Sequence, residues 1–347
     1  MAPRIVHYKK LYSLLEQRII SGELRGKLPS IAELTDEFAV SHNTVKKVLD
    51  QLKLNGLVQG RQGKGCFVKE SEPQRSNQLL VGVWEPDYEM FVNPFFVRAL
   101  GALREELSRH HAVMKYYSDL EQIEPERLAA LVIIDHISSK QLQMIRRRNP
   151  DCRLIQLNHH TENDLPSINS DNIDCGYRAM EYLYNCGHRR IGVIGREIYF
   201  YIFRERLDGV RRFAAAHPDI TVEFTELEKR SILELSANQA AMESTGGLLK
   251  KMPGITAIFA FTDVISLGVL SAMQRLKLKV PQDISLISVD NRDFSQVTNP
   301  PLTTFAEDAE RLGQAAADLI LTPEAPADNL YCCFPAKLIE RGSVRKL

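Results

Sequence analysis

The sequence has no apolar run long enough to cross a membrane, for which about 20 consecutive apolar residues are needed. Its first residues, MAPRIVHYKK, carry no apolar stretch after the charges, so no secretory leader is expected and we predict a cytoplasmic location. The 347 residues exceed what one ordinary core of about 100 to 200 residues holds, which predicts two domains.

Patterns typical of metal sites and active sites are also lacking. None of the six cysteines forms a C-x-x-C pair or has a histidine at metal-ligand spacing, so we expect reduced thiols and no structural zinc. The pair His159-His160 has no third ligand spaced to join it. Neither a dinucleotide loop, a P-loop nor a G-x-S-x-G pattern occurs. We therefore expect no catalytic residue, no metal and no cofactor, and no enzyme.

Net charge is absent only when the whole chain is counted, because the 44 basic and 44 acidic residues cancel. Residues 1–70 hold 12 lysines and arginines against 7 acidic residues, and the remainder holds 32 against 37. A basic N-terminal part suits contact with phosphate, whereas the acidic remainder does not.

The N-terminal part has the spacing of three helices followed by two short strands. Apolar side chains recur at helical spacing from Tyr8 to Ile19, and Ser30-Ile-Ala-Glu33 is a capping box that opens a second helix. Ser41 is a suitable N-cap for a third helix, whose apolar stripe leaves polar residues outside. Two short strands joined by a glycine-rich turn follow, which completes a winged helix-turn-helix.

The third helix is the expected DNA-reading element, because a helix fits the major groove and its first turn reaches base edges. Lysines farther along this helix and on the wing would contact phosphate. A charged, solvated helix face beside an ordinary hairpin is the alternative that periodicity leaves open. The candidate DNA-binding residues are Ser30, Ser41, His42, Asn43, Thr44, Lys46, Lys47, Lys53, Arg61 and Lys64.

Residues 8–68 resemble the GntR-type winged helix, in which YKKLYSLLEQRIISGEL, LPSIAEL, VSHNTVKKVLDQLKLNGLV and GKGCFV match segment by segment. The resemblance implies a double-stranded DNA operator as partner. Ala32 and His42 stand where the family commonly has arginines that touch DNA, so the operator sequence does not follow from the resemblance.

The polar stretch SEPQRSNQ at 71–78 lacks a periodic apolar pattern and predicts a linker between domains at 1–70 and 79–347. From Leu79 onward, short apolar runs alternate with helical stretches, which indicates parallel sheets covered by helices on both faces. In such sheets, ligands bind at the carboxyl ends of strands. The predicted strands are 79–83, 131–134, 154–157, 191–194, 257–261 and 284–289, and the predicted helices include 94–109, 174–186 and 264–276.

Residues 79–347 resemble the sensory domain of the LacI/GalR family, which is related to periplasmic sugar-binding proteins. NPFF, SDNIDCGYRAMEYLYNCGHRRIGVIG, RERLDGVRRF, VPQDISLISVDN, PPLTTF and LIERGS match in order. The resemblance implies a two-lobed, parallel-sheet α/β domain hinged around one effector cleft, in a homodimer built along the lobes. A GntR-type head in place of the family's own DNA-binding helices is the layout of arabinose-responsive repressors.

The resemblance places effector contacts at Asn158, Arg206, Thr262, Asp263 and Asp290. An arginine flanked by carboxylates can bond several hydroxyls, and aromatic faces pack on sugar rings, so we expect a sugar or sugar derivative; a nucleoside or purine-like molecule is the alternative. Asp263 and Asp171 could instead be N-caps, and Trp84 could fill the core. Further candidates are Trp84, Phe95, Phe96 and Asp171, and Asp135-His136 could line the cleft or its rim.

Together these features predict a transcription regulator whose affinity for operator DNA is controlled by a small polar effector. We expect a repressor, and an activator is the alternative. An exported solute-binding protein is a more remote alternative, which the missing leader and the winged head disfavour.

Overall fold

The computed structural model describes residues 11–12, 14–16, 18–19, 24–38, 40–54, 57–61, 65–69, 79–85, 93–124, 127–159, 165–196, 201–227, 234–322 and 330–347. The chain divides into two compact units, Met1–Asn77 and Gln78–Leu347, which we call the head and the body. The predicted linker at 71–78 lies outside the described residues.

The head contains helix α1 (Ile31–Phe38), helix α2 (His42–Leu54) and strands β1 (Val58–Arg61) and β2 (Gly65–Val68), and described residues between 11 and 19 are also helical. The strands pair antiparallel, with Val58 opposite Val68 and Arg61 opposite Gly65. This is the helix-turn-helix and hairpin that the sequence predicts. Its buried apolar core includes Leu15, Leu34, Val45, Val48 and Leu52.

The body alternates strands and helices along its whole length. In chain order its elements are β3 (Leu80–Trp84), α3 (Pro94–Arg109), β4 (Val113–Tyr117), β5 (Ala130–Ile133), α4 (Ser139–Arg148), β6 (Arg153–Leu157), β7 (Ser167–Ser170), α5 (Asn172–Asn185), β8 (Arg190–Gly195), α6 (Tyr201–Ala216), β9 (Thr221–Glu226), α7 (Glu234–Lys251), β10 (Ala257–Ala260), α8 (Asp263–Leu276), β11 (Ser285–Val289), β12 (Thr303–Ala306), α9 (Ala309–Leu321), β13 (Tyr331–Phe334) and β14 (Lys337–Ile339). Short 3-10 helices lie at Leu120–Gln122 and Asp293–Gln296.

These strands form two six-stranded sheets, one in each lobe. The first lobe has the order β13-β7-β6-β5-β3-β4, and all its pairs are parallel. The second has the order β14-β12-β11-β10-β8-β9, in which only the β12-β14 pair is antiparallel among the described strands. The two-lobed, parallel-sheet fold predicted from the sequence is therefore confirmed.

Helices cover both faces of the first sheet. Val81 and Val83 of β3 pack in one apolar cluster with α3 and α9, whereas Trp84, Leu131 and Ile133 point into another with α4. Near-continuous apolar strands are what burial on both faces requires. No helix among the described residues is long and apolar enough to span a membrane.

The chain passes from one lobe to the other between β7 and α5, between β12 and α9, and between β13 and β14. All three passages begin at the carboxyl ends of strands that pair in parallel with a neighbour. The carboxyl ends of both sheets therefore lie beside the hinge, where side chains from the two lobes meet.

The backbones of helices α5 and α6 approach each other more closely than a Cβ atom at their contact points would allow. A Cβ on Gly176 would lie 2.1 Å from the carbonyl oxygen of Arg206, and a Cβ on Gly209 would lie 2.1 Å from that of Ile173. Because glycine alone permits this approach at both positions, the two helices are held backbone to backbone. Side chains at the start of α5 and along α6 are thus fixed in position relative to one another.

Candidate functional site

Several of the DNA-binding candidates on the head lie on one outward face at the start of α2. Ser41, His42 and Asn43 are exposed at its start, and Lys46 and Lys47 are exposed one turn later. Residues four apart on a helix share a face, so these side chains form one basic and polar surface. Thr44 is half-buried, and its hydroxyl lies 2.8 Å from that of Ser41.

Three of the candidates on the head have hydrogen-bond or ion-pair partners within it. Ser30 Oγ accepts from the Glu33 backbone NH, and the Glu33 carboxylate accepts from the Ser30 NH at 2.6 Å, which is the predicted capping box. Ser41 Oγ caps the Thr44 NH in the same way, at 3.2 Å. Lys53 Nζ lies 2.9 Å from an Asp50 carboxylate oxygen, so its charge is already paired. The side chain of Arg61 and all of Lys64 lie outside the described residues.

In the body, Arg206 of α6 lies at the centre of the hinge and is 1% exposed. Its Nε donates to Asn172 Oδ1 at 2.9 Å, and Nη1 donates to the Phe261 carbonyl oxygen at 2.5 Å. Nη2 lies 3.2 Å from Glu307 Oε2, and Nη1 lies 4.0 Å from Asp290 Oδ1. Burial lowers the pKa of Arg206, but Glu307, Cys175 and Asp290 outweigh it and raise the pKa overall. The guanidinium is therefore a fixed buried cation.

Glu307 is a candidate site residue that the sequence analysis missed. It follows β12 directly, and its side chain is 7% exposed. One carboxylate oxygen holds Arg206, while the other, Oε1, is buried without a hydrogen-bond partner among the described residues. A buried acceptor without a partner is costly, and a ligand donor would satisfy it. The signal was present, because Glu307 is polar and stands at a strand end.

Asp290 follows β11 and faces Arg206 with a side chain that is 20% exposed. Burial and the nearby Asp263 carboxylate raise the pKa of Asp290 well above its usual value. Its backbone has φ 118°, and Asn158 at the end of β6 has φ 51°. Non-glycine residues rarely adopt positive φ, and such strain concentrates at functional sites. Both residues thus stand at strained strand ends beside the hinge.

Asp263, a predicted effector contact, is surrounded by protein groups in the structure. It is fully buried, and its carboxylate accepts hydrogen bonds from the hydroxyls of Ser288, Ser295 and Thr304 and from the Arg292 NH. With these four donors the carboxylate is saturated by protein groups. In the structure Asp263 is a buried anchor that joins α8 to the ends of β11 and β12, and its effector contact stays a prediction.

Several other candidates are also engaged in the fold. Thr262, and not Asp263, is the N-cap of α8, because its hydroxyl accepts from the Ile265 NH at 3.2 Å. Asp171 caps α5 by accepting from the Asp174 NH at 2.9 Å, which was its alternative role. Asn158 Oδ1 accepts from the Ser170 NH at 3.3 Å and is 8% exposed.

The aromatic candidates belong mainly to the core of the first lobe. Trp84 is 3% exposed among apolar side chains, which favours the core-filling alternative over its predicted ligand contact. Phe96 is 4% exposed and is likewise a core residue. Phe95 is half-buried and stands edge-on to Phe96, so it is the aromatic candidate that keeps an open face. His136 is exposed at the rim, 6.3 Å from the His159 ring.

Carboxylates outnumber guanidinium groups at the strand ends that the structure describes. Because of this excess of carboxylates, an effector here would meet an electrostatic field that is negative overall, with a cation buried at its centre. The described part of the chain contains no group of three His, Cys, Asp or Glu side chains arranged to hold a metal ion. The carboxylates are Glu85, Asp135, Asp171, Asp290 and Glu307, and the arginines are Arg196, Arg206 and Arg292.

Family comparison matches both units of the chain. Residues 7–68 match the model described as bacterial regulatory proteins, gntR family, and residues 180–344 match a periplasmic binding protein-like domain. The hybrid layout expected from the sequence is therefore confirmed.

Known proteins with similar sequences and structures are bacterial regulators. The chain is 30% identical over 305 residues to the HTH-type transcriptional repressor CytR of Escherichia coli strain K12, covering 82% of this chain and 84% of that protein. It resembles a LacI family regulator from Enterococcus faecalis V583 solved with bound ribose, with TM-score 0.63 and 24% identity over 77% of this chain and 99% of that one. It also resembles the lac repressor dimer bound to operator and the anti-inducer ONPF, with TM-score 0.63 and 20% identity over 78% and 96% of the two chains.

Proposed function

The chain belongs to the LacI/GalR type of DNA-binding transcriptional repressors, and we propose that a neutral, polyhydroxylated effector bound around Arg206 controls the affinity of the protein for operator DNA. The expectation of a repressor, over that of an activator, is confirmed by this relationship. The observation that carries the effector site is the buried cluster of Arg206, Glu307, Asp290 and Asn172 beside the hinge.

The chemistry of this cluster favours a ligand with several hydroxyl groups. Arg206 uses part of its five NH donors on Asn172, Phe261 and Glu307, and the rest can bond ligand oxygens. Glu307 Oε1 and Asp290 can accept from ligand hydroxyls. Adjacent hydroxyls on a sugar both donate and accept, so one ring satisfies both kinds of group. The ribose in the related regulator supports a ribofuranosyl group, free or within a nucleoside.

We predict that uncharged ligands bind and phosphorylated ones do not. The carboxylates at the strand ends would repel a phosphate, and like charges brought together in a binding site cost several kcal/mol. D-ribose or a ribonucleoside should raise the melting temperature of the protein, whereas the matching 5′-phosphate should bind about 100-fold more weakly or not at all. A differential thermal-shift screen with isothermal titration measures this. Preferential binding of the phosphorylated member of any pair would contradict the proposal.

For the DNA side, we propose a homodimer that places two heads on a near-palindromic operator, as the lac repressor dimer bound to operator suggests by analogy. Effector binding between the lobes would change the distance or freedom of the two heads and release the DNA. The outward face of α2 supplies the contacts. His42 and Asn43 would reach base edges, and Lys46 and Lys47 would meet phosphates.

Lys46→Ala tests this placement of the reading helix. Loss of one phosphate contact should weaken binding to operator and to unrelated DNA alike, and should reduce the slope of log affinity against log salt by about 1. Fluorescence anisotropy over a salt series measures both quantities. Lys250→Ala, which removes an exposed lysine of the body, is the control and should change neither. An unchanged slope in Lys46→Ala would mean that α2 does not lie along the backbone.

A further inference from the structure

One hydrogen bond joins the two lobes on the side of the hinge next to Arg206. Tyr331 begins β13 in the first lobe, and its hydroxyl donates to Glu205 Oε1 at 3.0 Å. Glu205 lies on α6 in the second lobe and is 5% exposed. A carboxylate of one lobe thus accepts from a side chain of the other.

The same carboxylate continues to Arg206 through one amide. Asn172 Nδ2 donates to Glu205 Oε2 at 3.3 Å, and Asn172 Oδ1 accepts from Arg206 Nε at 2.9 Å. The amide cannot turn over, because its NH2 group would then face the Arg206 NH and its oxygen would face the carboxylate. Glu205 therefore fixes the orientation of Asn172 together with the Ser170 carbonyl oxygen, which accepts from the same Nδ2 at 3.1 Å, and Asn172 in turn orients Arg206.

Those residues of this hydrogen-bond series that lie in the second lobe move together. Asn172 starts α5, Glu205 and Arg206 lie on α6, and Gly176 and Gly209 hold these helices backbone to backbone. Tyr331 alone belongs to the other lobe. If the lobes separate, the bond from Tyr331 to Glu205 is the one in this series that must break.

We propose that Tyr331 and Glu205 are positioning residues that couple the arrangement of the lobes to the orientation of Arg206. The inference rests on the proposed effector site. Tyr331 holds the lobes in the arrangement in which Arg206 is fully oriented, which is the arrangement that an effector would select. Effector binding and lobe arrangement then stabilise each other through Glu205 and Asn172.

Burial raises the pKa of Glu205, whereas hydrogen bonds from Tyr331, Tyr201 and Asn172 oppose the shift. Removal of one donor therefore leaves a buried acceptor only partly satisfied. The hydrogen bond from Tyr331 to Glu205 therefore contributes more than the half-exposed position of the Tyr331 side chain alone suggests.

Tyr331→Phe tests the coupling, with Tyr182→Phe as the matched control. Tyr182 also donates to a glutamate, Glu340, at 2.9 Å, but both residues lie in the second lobe. With D-ribose and the ribonucleosides as probes, the ratio of operator affinity without and with ligand should fall about fivefold in Tyr331→Phe, less than for a fully buried bond to a carboxylate. Tyr182→Phe should keep the wild-type ratio.

Glu205→Ala should have the larger effect, because it removes the acceptor of both Tyr331 and Asn172. It should weaken probe binding in the absence of DNA as well, since Arg206 loses its orientation. A purely structural role would lower the melting temperature of both variants and leave the affinity ratio unchanged.

A second measurement needs no ligand. Hydrogen exchange at the lobe passages, residues 170–172 and 331–337, should be faster in Tyr331→Phe than in Tyr182→Phe. If no probe affects operator binding by the wild type, the proposed effector class fails while this measurement still decides the coupling. Equal exchange and equal affinity ratios in the two phenylalanine variants would overturn the inference.

Discussion

Replacement of Arg206 by alanine is expected to abolish the effector response and to destabilise the protein by about 3–5 kcal/mol. Arg206 is buried beside Glu307 and Asp290, so its loss leaves two carboxylates near each other without their cation. Breaking a buried ion pair by removing one partner has a cost of this size. Denaturant unfolding measures the stability, and operator anisotropy with and without ligand measures the response.

A second variant separates stability from recognition. Arg206→Ala combined with Glu307→Gln removes one of the two stranded carboxylates and their mutual repulsion, so it should recover part of the lost stability. The response should stay absent, because the ligand still lacks its guanidinium. A double variant that is both stable and responsive would show that the effector binds elsewhere, and an Arg206→Ala protein of wild-type stability would contradict the buried ion pair.

Much of the candidate site could be predicted from the sequence because the ends of apolar strands can be recognised there. Asn158, Arg206 and Asp290 follow apolar runs or lie in recognisable segments, and the structure brings them to the hinge. Glu307 was missed because its strand, Thr303–Ala306, is short and half polar. Buried threonines in that strand bond to Asp263 and Arg341, which periodicity cannot reveal.

Strands that the sequence did not predict lack the apolar pattern of a buried strand, for different physical reasons. Ser167–Ser170 is polar in every position but one, yet it is fully buried between two neighbouring strands. Its side chains bond within the hinge, as Asn169 Nδ2 does to Ser167 Oγ. Its other neighbour, Tyr331–Phe334, comes from far along the chain, so the pairing has no local signal. Val113–Tyr117 is a largely exposed edge strand without alternation.

Asp263 is a predicted effector contact for which the structure supports a structural role instead. Position 263 stands at a strand end beside the hinge, where a ligand contact was expected. The structure instead surrounds it with Ser288, Ser295 and Thr304, none of which is exposed. It also raises the pKa of Asp290, which does face Arg206. Its influence on the effector would therefore be indirect, through the charge state and position of Asp290.

Asp263→Ala should consequently act on stability first. The variant orphans three buried hydroxyls and the Arg292 NH, and each unsatisfied buried donor costs about 1–3 kcal/mol before the hydroxyls turn to other acceptors. We expect a loss of about 4 kcal/mol in the free energy of unfolding, measured by denaturant titration. Asp263→Asn keeps an acceptor oxygen and should lose roughly half as much.

The two interpretations of Asp263 predict changes in different measured quantities. An effector contact predicts that Asp263→Asn abolishes ligand binding at an unchanged melting temperature. A buried anchor predicts a lowered melting temperature, with ligand binding retained at temperatures where the variant is folded. Ser288→Ala provides the matched control, because it removes one donor to the anchor and touches no other part of the proposed site. It should lower stability in the same direction by a smaller amount, since the Asp263 carboxylate keeps its other three donors.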